Sequence, residues 1–508
     1  MSLLTALPVL LPLVGGILLL FLRPAGIQTQ RVVHLFLIFF LVIVTLIAFF
    51  SANQGSYEIM LLGNWQAPFG IVMVLDRMSS IMLLLTATLA SGALWYAIKT
   101  DVDRQGDHFH VLFQLQLFGL NGAFLTGDVF NLFVFFEVLL LASYGLLLHG
   151  GGRLRTRAGL HYVVINLVGS TLFLFAVGAL YGMLGTLNIA DMSVAVQNVP
   201  AEDRGVVAAA GLLLLVVFGV KAAMFPLYLW LPRAYAYTSA PVAALFAIMT
   251  KVGLYAIIRV HGTVFGEEAG ALAFIHSDWV LAAGLTTSIL AAFGVMASSV
   301  LRQQVAYLVL ASVGILLIAI GLNSEAALSA AIYYLVHSTL LGAALFLLAD
   351  VIFRARRNQG DTLVKATPVA QPILVGSVFM LLVIAMTGMP PLSGFFGKVM
   401  VLNAALAHPW FIAILLVVLI SGLLMIISVA RTGSLLFYSA VKPESNDTPP
   451  EFNRLAFAAI IGLSLTSPLL VAFAKPISAV TEHTAMQLYD SRSYVSAVLS
   501  ARPVGEEK

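Results

Sequence analysis

Cysteine is absent from the 508 residues, which excludes a disulfide framework, a thiolate nucleophile, an iron–sulfur cluster and a Cys-ligated zinc. Charge is scarce too. Asp, Glu, Lys and Arg make up 10% of the chain, against roughly 25% in an ordinary soluble domain, and that excludes a soluble enzyme. The few charges nearly cancel, 26 Lys and Arg against 23 Asp and Glu, so the balance does not point to a nucleic-acid partner. No G-x-x-x-x-G-K-[S/T] run occurs, so ATP-driven pumping by this chain is not expected. His108 and His110 lack a carboxylate-rich shell and read as an exposed or interfacial pair rather than metal ligands. No cofactor and no metal site are expected.

What is abundant is apolar sequence, 61% of the chain. Runs of the length that crosses a bilayer core recur from residue 3 to residue 474, and about fourteen can be distinguished at about 20 residues each. Membrane strands would alternate polar and apolar residues over about 10 positions. The predicted fold class is therefore an all-α polytopic membrane protein embedded in a lipid bilayer. Polar breaks at Gly127-Asp128 and at Arg153/Arg155/Arg157 mark turns, and the tail at 475–508 reads as polar with a short interfacial helix. If the Arg153 loop is cytoplasmic, alternation places Lys99, Arg104, Arg233, Arg302, Arg354, Arg356 and Lys442 on the same side. Arg204, Arg492 and the acidic loops at 185–205 and 262–278 fall opposite. That bias predicts both termini outside. Lys221, Lys251 and Lys398 belong to neither side, because they lie inside apolar spans.

A charged side chain at a helix centre costs about 2.5–3.5 kcal/mol on insertion scales, so it must line a hydrated cavity or find a partner. Glu137 sits in Phe-Val-Phe-Phe-Glu-Val-Leu-Leu-Leu, where a carboxylate that can titrate is suited to handling protons. Lys221 precedes Phe225-Pro226, and a proline inside a span removes a backbone donor and breaks the helix. A lysine beside that gap can respond to a nearby carboxylate such as Glu137. Lys251, in Met-Thr-Lys-Val-Gly, and His337, in Tyr-Tyr-Leu-Val-His-Ser-Thr, lie about halfway along their spans and read as relay residues. Gly388-Met-Pro-Pro-Leu-Ser-Gly-Phe-Phe-Gly-Lys398 predicts a second broken helix, again with a lysine beside the break. The two broken spans are the seventh and the twelfth, an odd offset of five, so they run in opposite directions, as in an inverted repeat with polar sites near the midplane.

The run Lys221-Ala-Ala-Met-Phe-Pro-Leu-Tyr-Leu-Trp-Leu-Pro232, with Glu137, Ala240-Pro-Val-Ala-Ala-Leu, Thr250-Lys251-Val-Gly-Leu-Tyr and Gly388 to Lys398, resembles the antiporter-like membrane subunits. That family is shared by respiratory complex I and Mrp-type multisubunit cation/proton antiporters. The resemblance implies fourteen transmembrane helices with two inverted five-helix repeats. It divides the chain into 1–108, 109–262 (helices 4–8), 263–431 (helices 9–13) and 432–508. It also implies a central polar axis of Glu137, Lys221, Lys251, His337 and Lys398. Complex I subunits usually carry histidines where this chain has Tyr228 and Tyr235, and the run ending at Arg259 looks like that of Mrp D subunits. A lysine often found five residues after the histidine is replaced by Gly342. The resemblance thus implies a subunit of a bacterial plasma-membrane Na⁺(K⁺)/H⁺ antiporter that relays protons within a hetero-oligomer of other Mrp subunits. The same resemblance implies a secondary transporter subunit rather than an enzyme. The alternatives are a redox-driven pump subunit of complex I or a membrane-bound hydrogenase, and a structural scaffold.

Overall fold

The computed structural model describes residues 3–356, 359–438 and 452–503. Most of the loop expected at 442–452, with Lys442, lies outside them. Twelve helices among the described residues are long and apolar enough to cross a membrane, and two shorter apolar ones, Phe109–Leu125 and Pro372–Thr387, stand where the fourth and twelfth spans were expected.

The chain opens with α1 (Leu3–Phe21) and α2 (Ile27–Ala52). On α2 the buried residues Arg31, His34, Ile38, Leu41, Thr45, Ala48 and Ala52 recur every three or four positions, so one stripe faces the bundle. Phe36, Phe39 and Phe50 face outward, as lipid-facing side chains do. The apolar residues just ahead of the third span do not join its helix. Val72–Leu75 forms β2, which pairs antiparallel with β1 (Glu58–Leu61), and the third span, α3, starts at Arg77 and ends at Lys99. Val72–Leu75 is too short to cross a bilayer as a helix, and all four residues are buried.

Next come α4 (Phe109–Leu125), α5 (Val129–Leu148), α6 (Arg153–Leu184), the short α7 (Ile189–Gln197), α8 (Arg204–Ala222) and α9 (Trp230–Tyr237). The residues between α4 and α5 suffice for a turn because Asp128 caps α5, accepting from the Asn131 N–H at 2.8 Å. The eighth span is split into α10 (Ala240–Phe246), α11 (Met249–Ala256), a π-helical turn at Ile257–His261 and α12 (Gly262–Val264). Every residue from Ala240 to His261 is buried, making this span the centre of the bundle. The chain continues as α13 (Ser277–Ala297), α14 (Leu301–Gly321), α15 (Glu325–Ala355), α16 (Pro372–Thr387), α17 (Ser393–Ala404) and α18 (Phe411–Gly433). It ends with α19 (Arg454–Ser464), α20 (Thr466–Ala472), α21 (Ala474–Tyr489) and α22 (Ser491–Leu499). The tail thus holds two helices where one was expected.

One clasp joins this tail to the centre. Asp76 caps α3 through the Ser79 N–H at 2.9 Å and pairs with Arg259 Nη2 at 2.6 Å, both side chains being buried. The guanidinium lies 5.5 Å from the Tyr255 ring and 5.3 Å from that of Tyr494 on α22. Removing one partner of a buried pair strands the other charge and typically costs about 3–5 kcal/mol. Asp76→Ala should therefore lower the thermal unfolding midpoint of the solubilised full chain markedly, and adding Arg259→Met should restore part of the loss. An unchanged midpoint in Asp76→Ala would remove the clasp from the stability of the fold.

The histidine reading is corrected in part. His108 is exposed, but His110 is buried, with Nδ1 2.7 Å from His34 Nδ1 and Nε2 3.2 Å from Asp103 Oδ2. Asp103 also accepts from Arg31 at 2.6 Å. Burial opposes ionisation of Asp103, yet the hydrogen bonds from Arg31 and His110 outweigh it and hold the carboxyl below its ordinary range. Sequence position at a helix start suggested solvent. Packing of α2 against α3 and α4 closes it off.

Candidate functional site

The first break is built by the chain around Pro226. Helix α8 stops at Ala222, Ala223 takes a left-handed conformation at φ +60°, and Met224 N donates back to Gly219 O at 2.8 Å. Groups from elsewhere complete the ending. Thr287 Oγ1 on α13 accepts from Phe225 N at 2.9 Å, and the Trp230 indole donates to Val220 O at 3.0 Å. The backbone at membrane depth is thus satisfied by protein, the condition under which an interrupted helix is tolerated there.

Lys221 lies in the last turn of α8, buried, and its Nζ donates to Asn166 Oδ1 at 3.3 Å while sitting 5.8 Å from the Phe136 ring. Glu137, the next residue along α5, is half-buried and accepts from Ser170 Oγ. Asn166 and Ser170 are one turn apart on α6, so a single face of that helix holds both charged groups. No ion pair joins Glu137 to Lys221 among the described residues. A small cavity bounded by Phe136, Asn166, Lys221, Trp230 and Met249 leaves about 10 Å³ for a water centre, enough for about one water.

Lys251 sits in α11, wholly buried, and its Nζ has no hydrogen-bond partner among the described residues. Its span comes against the first break because residue 253 is glycine. A Cβ there would lie 2.4 Å from Ala222 N and 2.8 Å from Lys221 C, both backbone atoms. The carbonyl of Phe246, where α10 ends, accepts from Tyr235 Oη at 2.6 Å. Tyr235 therefore stabilises a break in the eighth span.

The second break falls at 388–392, between α16 and α17. Lys398 on α17 reaches back across it, and its Nζ donates to Thr387 O at 2.7 Å. His337 on α15 meets the same break, with Nδ1 2.7 Å from Ser393 Oγ, while its Nε2 is buried without a partner. Gly394 permits that approach: a Cβ there would stand 1.9 Å from Ala385 O and 2.9 Å from His337 Nε2. The five predicted residues thus form two groups, Glu137 with Lys221 and His337 with Lys398, one at each break. Lys251 lies on the buried span between, with α10 packing on α15 and α11 on α8.

The model of the family described as "NADH:quinone oxidoreductase/Mrp antiporter, TM" matches residues 126–424, which contain both breaks and all five residues. The chain belongs to this family. The D subunit of a probable K⁺/H⁺ antiporter from Rhizobium meliloti is 38% identical over 99% of this chain and 98% of its own length. The D subunit of an Na⁺/H⁺ antiporter from Alkalihalophilus pseudofirmus is 35% identical over 98% of this chain and all of its own. Among solved structures, a chain of the Mrp complex from Dietzia sp. DQ12-45-1b superposes with a TM-score of 0.86 at 26% identity, covering 98% of this chain and 100% of that one. In this family member the motifs singled out from sequence carry both broken helices. Sequence reasoning missed Asn166, Ser170, Ser393 and Tyr235's donation. The four-residue spacing of Asn166 and Ser170 within an apolar span was the available signal.

Proposed function

We propose that this chain is the proton-relaying D-type subunit of a multisubunit Na⁺(K⁺)/H⁺ antiporter in a bacterial plasma membrane. Protons move along Glu137, Lys221, Lys251, His337 and Lys398, and the other antiporter subunits complete the path of the metal cation. Na⁺ or K⁺ needs several oxygen ligands at one place, extending the hard-cation rule by analogy. Lys221 and Lys398 would instead repel a cation from this axis.

The observation that carries the proposal is Lys251, an ammonium-bearing side chain buried without a partner on a segmented span between two lysine-bearing breaks. An unsatisfied buried donor costs about 1–3 kcal/mol and more if charged. A scaffold would gain by replacing it with an apolar residue, whereas a relay cannot do without it. In everted vesicles containing the whole complex, with Na⁺ and K⁺ supplied in turn, Lys251→Met is expected to abolish exchange with either cation while assembly is kept. Full exchange by that variant would sink the relay.

The orientation follows from the same reading. A reporter fused at Arg356 should be cytoplasmic and one at Glu202 external, with both termini outside. The opposite labelling pattern would overturn this orientation.

A further inference from the structure

Beyond the proton axis, the arginine-rich end of the bundle holds a cavity of about 810 Å³ between the starts of α6, α10 and α14 and the end of α15. Arg153, Arg155, Arg302 and Arg354 line it, against the carboxylates of Asp350 and Asp361. Two of the arginines are matched: Arg302 Nε lies 2.9 Å from Asp361 Oδ2, and Arg354 Nε lies 2.6 Å from Asp350 Oδ2. Arg155 donates only to main-chain carbonyls, those of Tyr237 at 3.1 Å and of His149. Arg153 is exposed and has no carboxylate partner among the described residues. Positive charge is therefore left over at the cavity.

The backbone adds to it. Gly150, Gly151 and Gly152 have φ of +83°, +64° and +111°, and they lead directly into α6, a helix of 32 residues whose N-cap makes no side-chain hydrogen bond. Gly151 N donates to Leu148 O at 2.9 Å, and the first-turn N–H groups of the helix that follows share the positive end of its dipole. A Cβ at Gly151 or Gly152 would meet nothing within 4 Å, so the space over this backbone is open. Ser239 lines the same cavity, and its Oγ is buried with no hydrogen-bond partner among the described residues. It is a donor without an acceptor beside unmatched positive charge.

We infer that this cavity binds a phosphate group, presented as the headgroup of an anionic phospholipid and held by Arg153, Arg155, Ser239 and the first-turn N–H groups of α6. The rim favours a lipid over a free ion. Leu154 and Phe353 line the cavity and are 61% and 39% exposed, so acyl chains have an apolar surface to follow away from the headgroup. Basic pockets between helices on the cytoplasmic side are suited to such lipids.

The test uses the full chain in mild detergent, observed by native mass spectrometry with phosphatidylglycerol, phosphatidylcholine or inorganic phosphate added. Phosphatidylglycerol should be retained in preference to phosphatidylcholine, and Arg153→Gln should weaken retention about five-fold, the effect of one basic residue near an anionic headgroup. Arg153 makes no contact that folding needs, so the variant tests binding alone. Arg157→Gln, an exposed arginine off the cavity, serves as the control, and Ser239→Ala should weaken retention while leaving the net charge unchanged. Displacement of the retained lipid by inorganic phosphate would support the headgroup chemistry. Equal retention of the two lipids, or equal losses in the Arg153 and Arg157 variants, would overturn the site. Phosphate binding without lipid retention would overturn the assignment to the bilayer.

Discussion

Glu137→Ala and Lys221→Ala are each expected to reduce cation/proton exchange by the assembled complex at least a hundredfold, equivalent to about 3 kcal/mol in a barrier. The complex itself should still assemble. The argument rests on how the two groups are held. Lys221 is fixed by Asn166 and by the end of α8, and Glu137 by Ser170 one turn along the same face of α6. Neither is paired directly with the other, so each can change its protonation state without breaking an ion pair, while the charge of one still acts on the other. A methyl group can neither carry a proton nor exert that influence. Glu137→Asp should keep partial activity, because the carboxylate survives one methylene further from Ser170. Wild-type exchange in either alanine variant, measured in vesicles with the complex present at normal abundance, would remove that residue from the mechanism.

Gly253→Ala should be nearly as damaging although it changes no charge. The added methyl would lie 2.4 Å from Ala222 N and 2.8 Å from Lys221 C and Phe218 O. These are main-chain atoms at the point where α8 ends, and they cannot rotate away as a side-chain tip can. The eighth span would have to withdraw, carrying Lys251 away from Lys221 and straining the Tyr235 hydrogen bond to Phe246 O. Overpacking of a tight contact costs about 1–3 kcal/mol, so the solubilised chain should melt earlier and the complex should lose most of its transport. Gly262→Ala is the matched control, since nothing lies within 4 Å of a Cβ there. Transport and melting in Gly253→Ala indistinguishable from that control would show that the approach of the two spans is not needed.

The residues of the proposed axis were legible in the sequence because hydrocarbon makes polar groups so conspicuous. Glu137, Lys221, Lys251, His337 and Lys398 each interrupt an apolar run, and prolines announced the breaks at 226 and 390–391. The division of the eighth span was not legible, because residues 246–249, Phe-Ala-Ile-Met, contain no helix breaker. That break depends on Tyr235 arriving from another segment to donate to a freed carbonyl, a tertiary fact. His110 was misread for a related reason. Its position at the start of α4 suggested solvent, and only the packing of α2 beside it, with His34 and Arg31 on the facing stripe, removes it from water. Strand β2 escaped notice because four apolar residues before a long apolar helix look like its first turn.

The hydroxyl of Ser467 has a consequence for the order in which the protein is made. It stands 2.8 Å from Ser393 Oγ, which in turn stands 2.7 Å from His337 Nδ1, and it also accepts from Ser393 N at 3.3 Å. The start of α17 is therefore completed by α20, the last part of the membrane bundle to leave the ribosome. Until residue 467 has been inserted, Ser393 has its contact with His337 on α15 but not its partner on the last span. A nascent chain therefore carries every charged group of the proposed axis before the start of α17 has its last hydrogen-bond partner.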